Sequence, residues 1–191
     1  MSHRWATPVR GATLVFGIVA LSPAAAFAQD EWDAALQSVV RLEVSAFPEL
    51  PAGVVASLQA QGCAVPQTYS AAERQNVISG QFGADTRTQW AVLCTVADTS
   101  AILVLGETGE ELGALQRSPD RQWLQGIGGG RIGYSRLLRT AGRDEILRRT
   151  ANLAGRVPAI ERDGIEEIFI EKASVVWYWD GGVWMSLPGL D

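Results

Sequence analysis

Ala173-Ser174-Val175-Val176-Trp177-Tyr178-Trp179-Asp180-Gly181-Gly182-Val183-Trp184-Met185-Ser186-Leu187 is the stretch on which the fold reading turns. Two runs of β-branched and aromatic residues flank Asp180-Gly181-Gly182, whose glycines tolerate the positive φ that tight hairpin turns require. With Gly181-Gly182 as the loop, Trp179 faces Trp184 and Tyr178 faces Met185. Such cross-strand aromatic pairs contribute about 0.5–1 kcal/mol each. The C-terminal end is therefore an antiparallel hairpin.

Working back from it, Ile165–Ile170 predicts another strand. Arg143–Ala154 predicts a helix: Ile146, Leu147, Thr150, Leu153 and Ala154 share a face, Asp144 and Glu145 occupy the first turn, and Gly155 follows the end. Residues 118–133 read as a glycine-rich loop. In the middle of the chain, short apolar runs alternate with turn residues, which predicts a meander. Its strands are Asn76–Phe82, Gln89–Val96, Ala101–Leu105 and, more weakly, Glu111–Gln116. Pro51 suits the first turn of a short helix reaching Gln61, with Gly62 ending it. Residues 31–45 place Trp32, Leu36, Val39 and Val40 near helical spacing, although Val40–Val44 also alternates as a strand would. The expected class is α+β, an antiparallel sheet (meander plus C-terminal hairpin) packed by two or three helices. An N-terminal helical segment at 29–48 precedes a single domain over 49–191.

The N-terminus predicts export. Arg4 and Arg10 precede an apolar run from Ala12 to Leu21, then Ser22-Pro23, then Ala26-Phe27-Ala28, the small-x-small pattern a signal peptidase accepts. Residues 1–28 read as a cleaved signal peptide, because the apolar run is shorter than the roughly 20 residues a spanning helix needs. The expected location is periplasmic or secreted, and the mature chain is not an integral membrane protein. Cleavage removes two of the 16 basic residues and none of the 21 acidic ones, so the formal net charge moves from −5 to −7. That acidity argues against nucleic acid as a partner, since its recognition needs a basic footprint. Cys63 and Cys94 remain; in an oxidising compartment the simplest reading is a disulfide, with two buried thiols as the alternative.

Cleavage also removes His3, the only histidine. Ser-His-Asp triads, Cys-His dyads and histidine-based zinc sites are excluded with it. No cofactor is implied, and carboxylates are the remaining acid–base groups. Glu161, Asp163, Glu166, Glu167 and Glu171 cluster ahead of the hairpin; along a strand Glu167 and Glu171 share a face and Glu166 lies opposite. They read as a solvated acidic face or, alternatively, as a glycosidase-type pair. Gly126-Ile127-Gly128-Gly129-Gly130-Arg131-Ile132-Gly133-Tyr134 lacks the Lys-Ser/Thr ending of a phosphate loop and reads as a flexible loop or tight turn beside Trp123, with a ligand-lining role for its backbone amides as the alternative. Trp177, Trp179 and Trp184, if exposed together, form a stacking surface for a glycan or a partner protein; packing in the core is the alternative.

Several motifs carry a resemblance: Gly62-Cys63-Ala64-Val65-Pro66-Gln67, Asn76-Val77-Ile78-Ser79-Gly80-Gln81-Phe82, Gln89-Trp90-Ala91-Val92-Leu93-Cys94 and Glu171-Lys172-Ala173-Ser174-Val175-Val176. With Ala101-Ile102-Leu103-Val104, Asp163-Gly164-Ile165 and Trp184, they resemble a group of uncharacterised secreted bacterial proteins over most of residues 50–191. That resemblance supplies no activity. Gly80-Gln81-Phe82 followed by Gln89-Trp90-Ala91-Val92 is also similar to one FG-GAP or VCBS hairpin. There the family's loop holds calcium through several aspartates; here it offers Asp85, and Gln89 stands where an aspartate is expected. The functional expectation is a non-enzymatic exported domain that binds a protein or glycan of the cell envelope, through a surface drawn from Trp177, Trp179, Trp184, Glu167 and Glu171. The alternative is a carboxylate-dependent hydrolase of polysaccharide or cell wall.

Overall fold

The computed structural model of the chain describes residues 23–150 and 160–188. In chain order the elements are α1 (Pro23–Gln37), β1 (Arg41–Glu43), α2 (Ala52–Ala60), β2 (Ala64–Pro66), β3 (Val77–Gly80), β4 (Gln89–Val96), β5 (Thr99–Leu105) and β6 (Glu111–Pro119). They continue with β7 (Leu124–Gly126), β8 (Ile132–Tyr134), β9 (Arg136–Ala141), α3 (Arg143–Thr150), β10 (Gly164–Phe169), β11 (Ala173–Asp180) and β12 (Val183–Pro188). Every strand pairing is antiparallel, and the class is α+β, as the patterning predicts.

One sheet has six strands in the order β1-β2-β4-β5-β6, with β3 also on β4; a second has four in the order β12-β11-β10-β9; β7 and β8 form a separate hairpin. Alternation along β4 and β5 explains the layering. Val92, Cys94, Ala101 and Leu103 point to one side, where Val54 and Leu58 of α2 cover them with Phe47 and Leu50. Ala91, Leu93, Ile102 and Val104 point to the other, into a core shared with Phe82, Leu138 and Ile165. On the far face of the second sheet, Ile146 of α3 packs with Ala141, Val176 and Tyr178. Both faces of β4 and β5 are covered, which is why Ala101–Leu105 is continuously apolar rather than alternating.

Local geometry closes the hairpins. Ala97 and Asp98 both adopt positive φ (47° and 57°) in the two-residue loop between β4 and β5. Gly181 and Gly182 do the same between β11 and β12 (55° and 107°), and the predicted register, Trp179 opposite Trp184 and Tyr178 opposite Met185, is observed. Cys63 and Cys94 form a disulfide with Cα atoms 5.3 Å apart, linking the start of β2 to β4. Among the described residues, no helix is long and apolar enough to cross a membrane.

Three expectations are corrected. The helix expected over 31–45 ends at Gln37, and β1 takes Arg41–Glu43 because alternation there finds a partner in β2. Residues 118–133 hold β7 and β8 as well as the loop; Gly128, Gly129 and Gly130, all at positive φ, turn the chain between them. β9 has no counterpart in the sequence reading at all. The C-terminal part of the helix expected over 143–154 and most of the signal segment lie outside the described residues.

Candidate functional site

The acidic cluster separates once folded. Glu167 projects into the interior and is 3% exposed, contrary to a place on an accessible face. It accepts a hydrogen bond from Nε of the fully buried Arg136 at 2.8 Å and another from the Trp177 indole at 2.9 Å. Arg136 also donates to the Gln116 carbonyl at 2.8 Å and lies 4.6 Å over the Trp123 ring. Glu171 does not share the face of Glu167, because β10 ends at Phe169 and Glu171 is an exposed turn residue at φ 62°.

Glu166, on the opposite face of β10, is equally buried and accepts from Arg149 at 2.7 Å, Ser174 at 2.8 Å and Arg139. Burial pushes its carboxyl up, but these donors outweigh burial and hold it below the ordinary range. Arg139 likewise holds Glu145 low. A glycosidase acid needs a raised pKa, and both carboxyls shift the other way. The cluster has the electrostatics of an ionic clasp joining β9, β10 and α3.

A second buried network surrounds Asp120, which accepts from Ser100, from Thr95 at 3.3 Å and from Arg41 at 3.0 Å. Ser100 is fully buried, so its hydroxyl has no route to a substrate. The Tyr134 hydroxyl, buried nearby, is pushed above the usual phenol range chiefly by that burial. The Gly83–Thr88 turn is organised by Gln89, whose side-chain oxygen accepts from Phe82 (3.0 Å) and Gly83 (2.6 Å) while its amide donates to Asp85. A carboxamide thus occupies the centre of this turn. Among the described residues no three His, Cys, Asp or Glu side chains gather in a metal-binding group.

Two of the three hairpin tryptophans, Trp177 and Trp184, face inward, whereas Trp179 lines a shallow cleft with Glu161 and Arg162. Trp177 and Trp184 pack against the inter-sheet core, and Trp179 meets Trp184 edge to face, with ring centroids 5.4 Å apart at 75°. None is more than partly exposed. Gly113 on β6 has no side chain because the Trp184 indole occupies that space; a Cβ there would lie 2.6 Å from Nε1.

A cleft opens elsewhere on the molecule. It is a groove of about 590 Å³ between the end of α1, β1, the loop following β2, and β8. Two of its lining side chains are exposed apolar ones, Val40 at 60% and Tyr69 at 36%. The loop wall is held rigidly. The Gln67 side chain donates to the Gln75 carbonyl at 3.1 Å and accepts its N–H at 2.8 Å, and Thr68 donates to the Gln75 side chain at 2.7 Å. Tyr69 N–H donates to the Tyr134 carbonyl at 2.7 Å. Gly133 permits this contact, since a Cβ there would lie 2.5 Å from Tyr69 Cβ. Glu73 and Arg74 add one charge of each sign to the lining. Sequence reasoning left a ligand-lining role open for the glycine-rich segment, whose end, Ile132-Gly133-Tyr134, lines the groove, but it missed the other walls; their faint signal was Gln67, closing the Gly62–Gln67 motif.

Comparison of the chain with protein-family models, with curated proteins and with solved structures finds no match.

Proposed function

We propose that the protein is an exported, non-enzymatic domain that holds a segment of another envelope protein in the groove beside Val40 and Tyr69. The observation that carries this reading is the pairing of two exposed apolar side chains with this cleft, one wall of which is a loop fastened at its base by Gln67 and Gln75. A groove of about 590 Å³ is within the roughly 300–1,000 Å³ of ordinary binding clefts. Preorganised walls lower the ordering cost of association. A protein segment fits this lining better than a glycan does. Val39, Val40, Leu42 and Ile132 are aliphatic, and no tryptophan lines this groove, while Trp177 and Trp184 pack toward the core. Export is supported by the N-terminal pattern and by the Cys63–Cys94 disulfide, which persists in oxidising compartments.

The test places a photo-crosslinking amino acid at Tyr69 in cells making the full chain, with Leu112, exposed on β6, as control. The reading expects a discrete protein adduct from position 69 that Val40→Asp removes. Identical adducts from both positions, or none, would sink it. N-terminal sequencing of the exported protein should begin at Gln29.

A further inference from the structure

Sheet edges are templates for pairing with another chain unless something blunts them, and the edges of this protein are treated unequally. β1 has three residues, of which Arg41 and Glu43 are charged. β6 carries two register breaks against β5, a positive φ at Gln116, and the charged residues Glu111 and Arg117. The outer edge of β9 is covered: Asn76 bonds Leu138 N–H and the Arg136 carbonyl, and Thr140 donates to the Ser79 carbonyl. β12 has none of these devices. It pairs with β11 in unbroken register from Val183 to Pro188, contains no charged residue, and has no strand on its other side among the described residues. Val183 and Met185 are 57% and 44% exposed.

We infer that two copies of this chain associate through β12, antiparallel about Met185, joining two four-stranded sheets into one sheet of eight. The strand is self-complementary in that register. Met185 meets its own copy, Val183 meets Leu187, and Trp184 meets Ser186, so the three side chains that alternate onto one face gather around the dyad. Pro188, lacking an N–H, ends the ladder at the point where the pairing would reach Gly182. Charge favours this place for self-contact. The chain carries a formal net charge of −5, and β12 is a neutral strip on which a like-charged copy meets no opposing carboxylate within the strand.

The test is sedimentation equilibrium on the exported protein, from micromolar to near-millimolar concentration. The inference expects the mass to rise to twice that of the protomer. Met185→Lys sets two ammonium groups against each other at the dyad and should weaken self-association at least about tenfold. Its circular dichroism and thermal midpoint should stay those of the unaltered protein, because position 185 is exposed. Met185→Cys should form a covalent dimer under mild oxidation, whereas Val96→Cys, equally exposed at 45%, should not. A protomer mass throughout the series, or a Met185→Lys dimer as tight as the unaltered one, overturns the inference. So does a Met185→Cys variant that couples only to a different protein.

Discussion

The side-chain oxygen of Asn76 accepts the Leu138 N–H at 2.8 Å, across the gap between the two sheets. The same carboxamide donates to the Arg136 carbonyl at 3.1 Å and to the Pro66 carbonyl at 2.7 Å. One side chain therefore supplies what a neighbouring strand would supply to β9. It does so from φ 71°, a backbone conformation that Asn tolerates better than most residues.

Asn76→Asp keeps the shape and removes both donors. It sets an acceptor against the carbonyls of Pro66 and Arg136, so the cost should be large for an isosteric change, about 3 kcal/mol or more. Urea denaturation should show a lower midpoint with an unchanged slope. A variant within about 0.5 kcal/mol of the unaltered protein would mean that the joint between the sheets does not depend on this amide.

The disulfide makes a separate contribution. Cys63 and Cys94 are 31 residues apart, and closing a loop of that size stabilises a fold by about 3–4 kcal/mol on the chain-entropy model. Both cysteines are buried, so Cys63→Ala with Cys94→Ala tests the cross-link without exposing a polar group. The double variant should unfold at markedly lower denaturant, and a reductant should shift the unaltered protein toward it but leave the variant where it was.

Much of the fold was legible because its signals are local. Gly181-Gly182 between two aromatic runs sets a hairpin and its register, and Gln89–Val96 reads as a strand from its own residues. β9 was not legible, since Arg136 and Arg139 spoil its apolar pattern. They are tolerated there because Glu167 and Glu166, on the adjacent strand, neutralise them. Such a pairing exists only after the chain returns from α3. Alternation placed Trp177 and Trp179 on one face correctly, but which face meets the other sheet is a tertiary fact. The groove was hidden for the same reason: Val40, Tyr69 and Gly133 meet only through the packing of α1, the Gln67–Gln75 loop and β8.

The Arg136–Glu167 pair gives a prediction in which the double change is milder than the single one. Both groups are almost fully buried, so Glu167→Ala leaves an unpaired guanidinium inside the protein and should cost about 3–5 kcal/mol. Arg136→Met with Glu167→Leu removes both charges and fills similar volume; its cost should be well below the sum of the single changes. Trp177 reports on the site, because its indole donates to Glu167. Its emission should shift in either Glu167 variant and stay unchanged in variants at the Val40–Tyr69 groove. Additive single and double costs would show that the two charges do not act as a unit.

Glu166 and Glu145 make stability depend on acid. Burial raises Glu166, and Arg149, Ser174 and Arg139 lower it by more; Glu145 is lowered first by Arg139. Both carboxyls therefore titrate below the ordinary value of 4.5 in the folded protein and at about that value when unfolded. A depressed carboxylate contributes stability that is complete above its unfolded pKa and is lost as pH falls through the folded one. Thermal midpoints should thus hold steady from neutrality to about pH 5, then fall as the clasp between β10, β9 and α3 is protonated. Glu166→Gln cannot titrate. It should start lower at neutral pH, by about 1–3 kcal/mol for the lost charge-assisted hydrogen bonds, and then decline less steeply with acid. Parallel acid profiles for the two proteins would place the pH dependence elsewhere in the molecule.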